Sequence, residues 1–296
     1  MRISALFIVL SYVISAGPAA FAADSSQINF AQSVYDAVED TGLKHPEGVG
    51  CTDDYFVVAD TGNNRLIKYT FSDGIAKPAA PEMPVNSPII VQINSKGEIY
   101  TLDGDRRIVI INADGSDQGY LAPKGSPVAR KMIPRSFKID RNDIIHILDI
   151  SEGVVLILDA EGNYLRHIPV PEEAGFFSDL AVDRQGNVFL VDSTEVALYA
   201  AAPGEDQFTS LATEISEYAN FPTNIAVDSG TIYLVDKHGG SLVLLNQDGS
   251  FLGHRFGYGW KNAQFYYPGQ LCINPGGDFF IADRGNSRVQ IFTSSR

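Results

Sequence analysis

Short apolar runs separated by polar, glycine-containing turns extend along the whole chain, without a stretch of the 3.6-residue period that is typical of an amphipathic helix. Residues 55–66 read Tyr-Phe-Val-Val-Ala-Asp-Thr-Gly-Asn-Asn-Arg-Leu, and residues 278–289 read Asp-Phe-Phe-Ile-Ala-Asp-Arg-Gly-Asn-Ser-Arg-Val. Each copy predicts a strand that ends in Asp, a polar turn, and a second strand that begins with Arg. Two copies at opposite ends of one chain indicate an internal repeat.

An Asp that ends an apolar run recurs six times, with spacings of 43, 46, 43, 44 and 47 residues. The six residues are Asp60, Asp103, Asp149, Asp192, Asp236 and Asp283. This period is the length of one four-stranded propeller blade. The pattern therefore predicts an all-β fold, a six-bladed β-propeller of four-stranded antiparallel blades.

The last repeat ends after its third strand, because residues 293–296 are too few to form a fourth. An uncovered apolar edge strand invites aggregation, so another segment must complete this blade. Residues 28–35 precede the first blade and alternate apolar with polar side chains. We expect them to form the outermost strand of the sixth blade and to close the ring.

These motifs resemble those of the NHL-repeat six-bladed β-propellers. The family pattern is a Pro-Gly opening, a strand ending in Ala-Asp, then Gly-Asn and Arg, and residues 267–292 match it closely. Residues 45–69 match it almost as well, whereas the four middle repeats keep the Asp and the turns but are eroded elsewhere. The resemblance covers the chain as architecture and implies a binding or scaffold role.

The first 22 residues have the features of an exported protein's leader: an early Arg2, an apolar stretch, and Ala20-Phe21-Ala22 as a cleavage site. The apolar stretch is too short to span a membrane. We expect cleavage after Ala22, a single propeller domain over residues 23–296, and a periplasmic or secreted protein. The formal net charge of −14 argues against the RNA binding known in some NHL propellers, because nucleic-acid binding needs a basic surface.

The chain has two cysteines, Cys51 and Cys272, on the predicted inner strands of the first and last blades. Ring closure makes these blades neighbours, so a disulfide can form outside the cytoplasm. Cys51 follows Pro46 by five residues, however, and Cys272 follows Pro268 by four, which predicts opposite side-chain directions and disfavours the bond. Covalent haem is not expected, since the chain lacks a Cys-x-x-Cys-His motif.

Up-and-down strand connectivity places the starts of the inner strands and the ends of the Asp-bearing second strands on one face of the disc, which we call the loop-rich face. The six Asp residues are interpreted as structural, because a catalytic group would not recur in each repeat. Each Asp can accept hydrogen bonds from its turn, and Arg65 and Arg288 can pair with a carboxylate.

Departures from the repeat at the channel mouth are better candidates for function. The starts of the inner strands place six residues near the axis, with Arg135 beside them: Glu47, Ile90, Ser136, Asp179, Asn224 and Gln270. Glu47, Asp179 and Asn224 offer the oxygen ligands that bind calcium or another divalent cation. Such a site resembles that of lactonase-like propellers, and a solvated polar channel is the alternative interpretation.

An aromatic loop, residues 256–267, leads into the last inner strand. Tyr258 and Trp260 flank glycines in this loop and are candidates to contact a partner, with Arg135 and Gln270 at the nearby channel mouth. Packing between blades is the alternative for the loop. The sequence thus favours a module that binds a protein, a peptide or a carbohydrate, and a metal-dependent hydrolase is the second hypothesis.

Overall fold

A computed structural model describes residues 28–37, 41–128, 131–172, 175–213 and 215–294. The described strands form six separate four-stranded antiparallel sheets, one for each predicted repeat. The six-bladed β-propeller predicted from the Asp period is therefore confirmed. The predicted leader, residues 1–22, lies outside the described residues.

Five blades are built from four consecutive strands each, ordered from the central channel outward. Strand β1, at Ile28–Val34, precedes the first blade, which contains β2 to β5, at Gly48–Cys51, Tyr55–Asp60, Arg65–Ser72 and Ile75–Pro84. The second contains β6 to β9, at Ile90–Ile93, Ile99–Leu102, Ile108–Ile111 and Asp117–Tyr120. The third contains β10 to β13, at Pro134–Ile139, Ile145–Asp149, Val154–Leu158 and Tyr164–Pro169.

The remaining blades follow the same plan, except at the seam of the ring. The fourth blade contains β14 to β17, at Phe177–Val182, Val188–Asp192, Ala197–Ala201 and Thr209–Ala212. The fifth contains β18 to β21, at Pro222–Asp228, Thr231–Asp236, Ser241–Asn246 and Phe251–Arg255. The sixth contains β22 to β24, at Leu271–Ile273, Phe279–Asp283 and Arg288–Ser294, and is completed by β1, at Ile28–Val34.

Outside the strands, the described residues contain three short 3₁₀ turns, at Thr61–Asn63, Ile215–Glu217 and Arg284–Asn286. Two of them follow the Asp of the first and last repeats directly. Within the described ranges, no helix has the length and hydrophobicity that a membrane crossing requires.

Strand β1 closes the ring by pairing antiparallel with β24, so that it is the outermost strand of the sixth blade. Phe30 lies opposite Phe292 in this pairing, and their ring centroids are 5.8 Å apart. The predicted closing strand is confirmed. Pairing covers the edge of β24 that the sequence of the last repeat leaves open.

The hydrophobic core is divided into six clusters, one between each pair of neighbouring blades. Second strands such as β23 are buried along their whole length, since both faces of each blade pack against a neighbour. At the seam, Phe56 and Phe71 of the first blade contact Phe280 of the sixth, at 4.9 and 5.0 Å between ring centroids.

A disulfide joins Cys51 to Cys272 across this seam, with 5.9 Å between the Cα atoms. The prediction that this bond is disfavoured is wrong. Val49 and Leu271 hold equivalent register positions in their blades. Cys51 lies two residues after Val49 and Cys272 lies one residue after Leu271, so the two side chains do point to opposite faces of their blades. Neighbouring blades, however, present opposite faces to each other, and opposite directions are therefore what brings the two sulfur atoms together.

Candidate functional site

In five of the six blades, the repeated Asp and a residue one or two positions after it hold the loop that enters the blade. In the first blade, Lys44 donates its backbone N–H to Asp60 Oδ1 at 2.7 Å, and its carbonyl accepts from the N–H of Gly62 at 2.9 Å. In the last blade, Tyr266 makes the same two bonds with Asp283 and Gly285, at 2.8 and 2.7 Å. A Cβ on Gly285 would collide with the Tyr266 carbonyl oxygen, which explains the glycine of this motif.

Three of the eroded repeats keep this backbone clamp without the glycine, because the residue directly after the Asp donates instead. The clamped residue, the Asp and the donor are Ile133, Asp149 and Ile150; Phe176, Asp192 and Ser193; and Phe221, Asp236 and Lys237. Burial would raise the pKa of Asp192, but its backbone N–H donors outweigh burial and hold that pKa below its ordinary value. In the second blade, Asp103 accepts instead from the N–H groups of Asp105 and Arg107.

The two arginines of the repeat pair with the Asp of their own blade. Arg65 Nε lies 2.8 Å from Asp60 and Arg288 Nε lies 2.7 Å from Asp283. Arg288 is only 1% exposed, and it also donates to the backbone carbonyls of Lys261 and Gln264 at 2.7 and 2.8 Å. The last Arg therefore fixes the aromatic loop to β24.

A cavity of about 360 Å³, which we call the channel mouth, opens on the loop-rich face. It is lined by six residues that the sequence singled out: Glu47, Ile90, Arg135, Asp179, Asn224 and Gln270. The structure therefore brings the proposed cation ligands together with two of the proposed partner-binding residues.

The floor of the channel mouth is a buried hydrogen-bond network that joins four blades. The Asp179 carboxylate accepts from the Ser136 hydroxyl, from the Asn224 amide, and from the N–H of Ile225 at 2.9 Å. Asn224 Oδ1 in turn accepts from the N–H of Leu271 at 2.8 Å. Burial raises the pKa of Asp179, because its donors only partly offset the loss of water.

Gln270 and Glu47 are also engaged by protein groups. Gln270 Oε1 accepts from the N–H groups of Val49 and Val91, at 3.1 and 2.9 Å, and so connects the sixth blade to the first and second. Glu47 Oε1 accepts from Arg284 Nε at 2.8 Å. Within the described part of the chain, three or more His, Cys, Asp or Glu side chains are nowhere grouped to hold a metal ion. The cation site at Glu47, Asp179 and Asn224 stays a prediction.

The channel mouth is also lined by eight residues that the sequence did not single out, and these include Arg106, Phe176, Phe221 and Lys237. Arg106 and Lys237 lie in the turns that follow Asp103 and Asp236. Comparison of the residues that follow the repeated Asp could have identified these basic side chains. The turns differ in length, however, so sequence alone does not show which of their side chains reach the axis.

The aromatic loop presents its two candidate residues to solvent. Trp260 is 74% exposed and Tyr258 is 49% exposed, whereas Phe265 is buried. Ring contacts connect the loop to the channel mouth: Tyr258 to Tyr267 at 6.4 Å, Tyr267 to His238 at 6.1 Å, and His238 to Phe221 at 4.8 Å between centroids. An aromatic track thus runs across the loop-rich face.

Comparison with known proteins supports the repeat and the fold. The NHL repeat family model matches residues 265–292. The human NHL repeat-containing protein 3 is 38% identical over 68 residues, which is 22% of this chain and only 20% of that protein's length.

Solved structures extend the likeness to almost the whole chain. A gluconolactonase from Xanthomonas campestris covers 92% of this chain and 96% of its own, with a TM-score of 0.66 and 15% identity. The match to a streptogramin B lyase covers 90% of this chain and 98% of the lyase, with a TM-score of 0.64 and 11% identity. At these identities the likeness concerns the fold alone. The chain thus contains a match to the NHL repeat at residues 265–292, within a closed six-bladed β-propeller.

Proposed function

We propose that this propeller is a binding module that contacts another protein or a peptide through the aromatic loop on its loop-rich face. The observation that carries the proposal is the exposure of Trp260, the single tryptophan of the chain, at 74%. Soluble proteins rarely leave clustered aromatic side chains in water without a partner, and Trp and Tyr dominate the energetics of protein interfaces. NHL propellers commonly mediate protein interactions.

The loop is anchored in the free protein. This favours tight binding, because the loop loses little conformational entropy when a partner binds. Asn286 donates to the Gly259 carbonyl at 2.9 Å, and Gln290 both donates to the Gln264 carbonyl and accepts from the N–H of Ala263. Together with Arg288, these side chains hold the backbone on both sides of Trp260 in one conformation.

The test compares how much partner is retained by the wild-type protein and by the variants Trp260→Ala and Tyr258→Ala. Tyr120→Ala is the control, because the Tyr120 side chain is 55% exposed on the outer strand of another blade. We expect a retained partner to bind Trp260→Ala at least about tenfold more weakly, as for an interface hot spot. Fluorescence of the single tryptophan should change on binding. Equal retention by all four proteins would refute the proposal.

The second candidate is a metal-dependent hydrolase, which is favoured by the position of Glu47, Asp179 and Asn224 around one cavity. A divalent cation there would polarise a substrate carbonyl. Elemental analysis and a calcium titration of the melting temperature separate the two functions, because a native-state ligand raises stability. The binding-module proposal expects no shift at millimolar calcium, and a saturable increase would favour the hydrolase.

We also propose that the protein is exported, with cleavage after Ala22 of the leader. The Cys51–Cys272 disulfide supports an oxidising compartment. The expected result is an N-terminal sequence that begins at Ala23 in protein recovered from the periplasm or the medium. Recovery of the uncleaved chain in the cytoplasm would contradict it.

A further inference from the structure

Three basic side chains line the channel mouth without an acidic partner among the described residues: Arg106, Arg135 and Lys237. They come from three different blades and meet at the axis of the ring. The chain as a whole carries a formal charge of −14. A group of unpaired cations in one cavity of so acidic a protein needs an explanation.

Arg135 is fixed in place but has an unused hydrogen-bond donor. Its guanidinium carbon lies 4.3 Å from the centroid of the Phe176 ring, which orients the planar group. Its Nε atom is buried and has no hydrogen-bond partner. Burial, together with the nearby charge of Arg106, lowers the pKa of Arg135. An anion in the cavity would offset both effects.

The two acidic side chains at the channel mouth do not neutralise these cations. Glu47 is paired with Arg284 at 2.8 Å. Asp179 is directed into the buried network with Ser136 and Asn224, and its burial favours the neutral carboxyl. The free side of the cavity is therefore lined by positive charge, which disfavours a divalent cation and favours an anion.

We propose that the channel mouth binds a small organic anion, whose carboxylate or phosphate group is held by Arg135 with Arg106 and Lys237. The guanidinium fork matches both groups, since each accepts two parallel N–H bonds. Phe176, Phe221 and Ile90 provide apolar walls for the body of the molecule. The cavity of about 360 Å³ is in the size range of small-ligand sites. This proposal is independent of the partner-binding function of the aromatic loop.

Calorimetric titration of the full mature protein with benzoate, phenyl phosphate and neutral benzamide tests the site. We expect saturable binding of at least one anion at millimolar concentration or below, and no binding of benzamide. Tighter binding of benzoate assigns a carboxylate ligand, and tighter binding of phenyl phosphate assigns a phosphate ligand. Binding should weaken as salt is added, because the attraction is between charges.

Arg135→Ala should weaken anion binding by at least about tenfold, as the loss of a charge-assisted bidentate contact predicts. Arg184→Ala is the matched control, because Arg184 lies in a turn on the opposite face and pairs with Asp228 at 3.0 Å. The Arg184→Ala variant should bind the anion with the affinity of the wild type. Arg106→Ala is a second test in case Arg135→Ala melts at a lower temperature.

Three results would overturn the anion site: no saturable binding of either anion, equal binding of benzamide, or wild-type affinity in both Arg135→Ala and Arg106→Ala. Trp260→Ala should retain full anion binding. A failure of the anion site is therefore distinguishable from a failure of the partner-binding proposal, which is measured on the aromatic loop.

Discussion

At the residue scale, the repeated Asp of five blades accepts a hydrogen bond from a backbone segment about sixteen residues before it in the chain. Asp60 and Asp283 bind the N–H of the entering loop, and the glycine two positions later binds the carbonyl of the same residue. Asp and Gly therefore bind opposite backbone groups of one loop residue, and a Cβ on either glycine would collide with that residue's carbonyl oxygen. The motif thus connects the end of a strand to a loop by hydrogen bonds.

Gly285→Ala should destabilise the protein by about 1–3 kcal/mol, since the added methyl group overpacks the contact with the Tyr266 carbonyl. Gly257→Ala is the matched control, because a Cβ at that position of the aromatic loop meets no atom within 4 Å. Urea denaturation of both variants measures the difference. Equal stability of the two variants would contradict the proposed reason for the glycine.

Asp192→Asn should cost about 1–3 kcal/mol at neutral pH, because an amide NH₂ replaces an oxygen that accepts a backbone N–H. The pKa of Asp192 is lowered in the folded protein, so its stabilising effect is complete above its unfolded value of about 3.9 and is lost as the pH falls through the folded value. Unfolding measured at pH 7 and pH 3 should show that the difference in unfolding free energy between the wild type and Asp192→Asn becomes smaller in acid. A difference that does not change with pH would contradict the role of the charge.

At the element scale, β1 supplies to the sixth blade the strand that its own repeat lacks. The pairing of Ile28 with Ser294 and of Val34 with Val289 makes the first and last strands of the described chain a single structural unit. The blade at the seam is therefore complete only when the two ends of the described chain meet, unlike the blades made of consecutive strands.

Removal of residues 28–34 should leave β24 with an open edge, and we expect the shortened protein to self-associate. Size-exclusion chromatography measures this outcome. A synthetic peptide of the removed sequence should restore the monomer, whereas a scrambled peptide of the same composition should not. A stable monomer without the strand would show that β1 is not required for closure.

At the scale of the whole molecule, the disulfide and β1 hold the same seam at two distances from the axis. The disulfide lies at the end of the channel opposite the loop-rich face, where a cavity of about 440 Å³ exposes it to solutes. Its closed loop spans 221 residues of sequence. Reduction should therefore lower the free energy of unfolding by about 2–5 kcal/mol, an effect expected for long loops.

Guanidinium denaturation with and without dithiothreitol measures this change in the wild-type protein. The Cys51→Ser/Cys272→Ser double variant is the control and should have the stability of the reduced wild type in both conditions. A wild-type midpoint that does not move with reductant would contradict a stabilising disulfide.

The sequence was sufficient for the architecture because blade length, turn positions and strand-ending Asp all recur at one period. It also placed Glu47, Asp179 and Asn224 at one mouth, since strand connectivity decides that position. It did not identify Arg106 and Lys237, because turns of unequal length aim their side chains differently. The error about the disulfide had another cause, the stacking of opposite blade faces, which a single strand's alternation does not reveal.

The cross-link between the innermost strands also has a mechanical consequence. A force applied to the two ends of the described chain reaches β1 and β24 first and then meets the covalent bond between Cys51 and Cys272. Blades two to five lie inside the closed loop and carry none of that tension. Under oxidising conditions the chain should extend only by its terminal segments, and full extension should require a reductant.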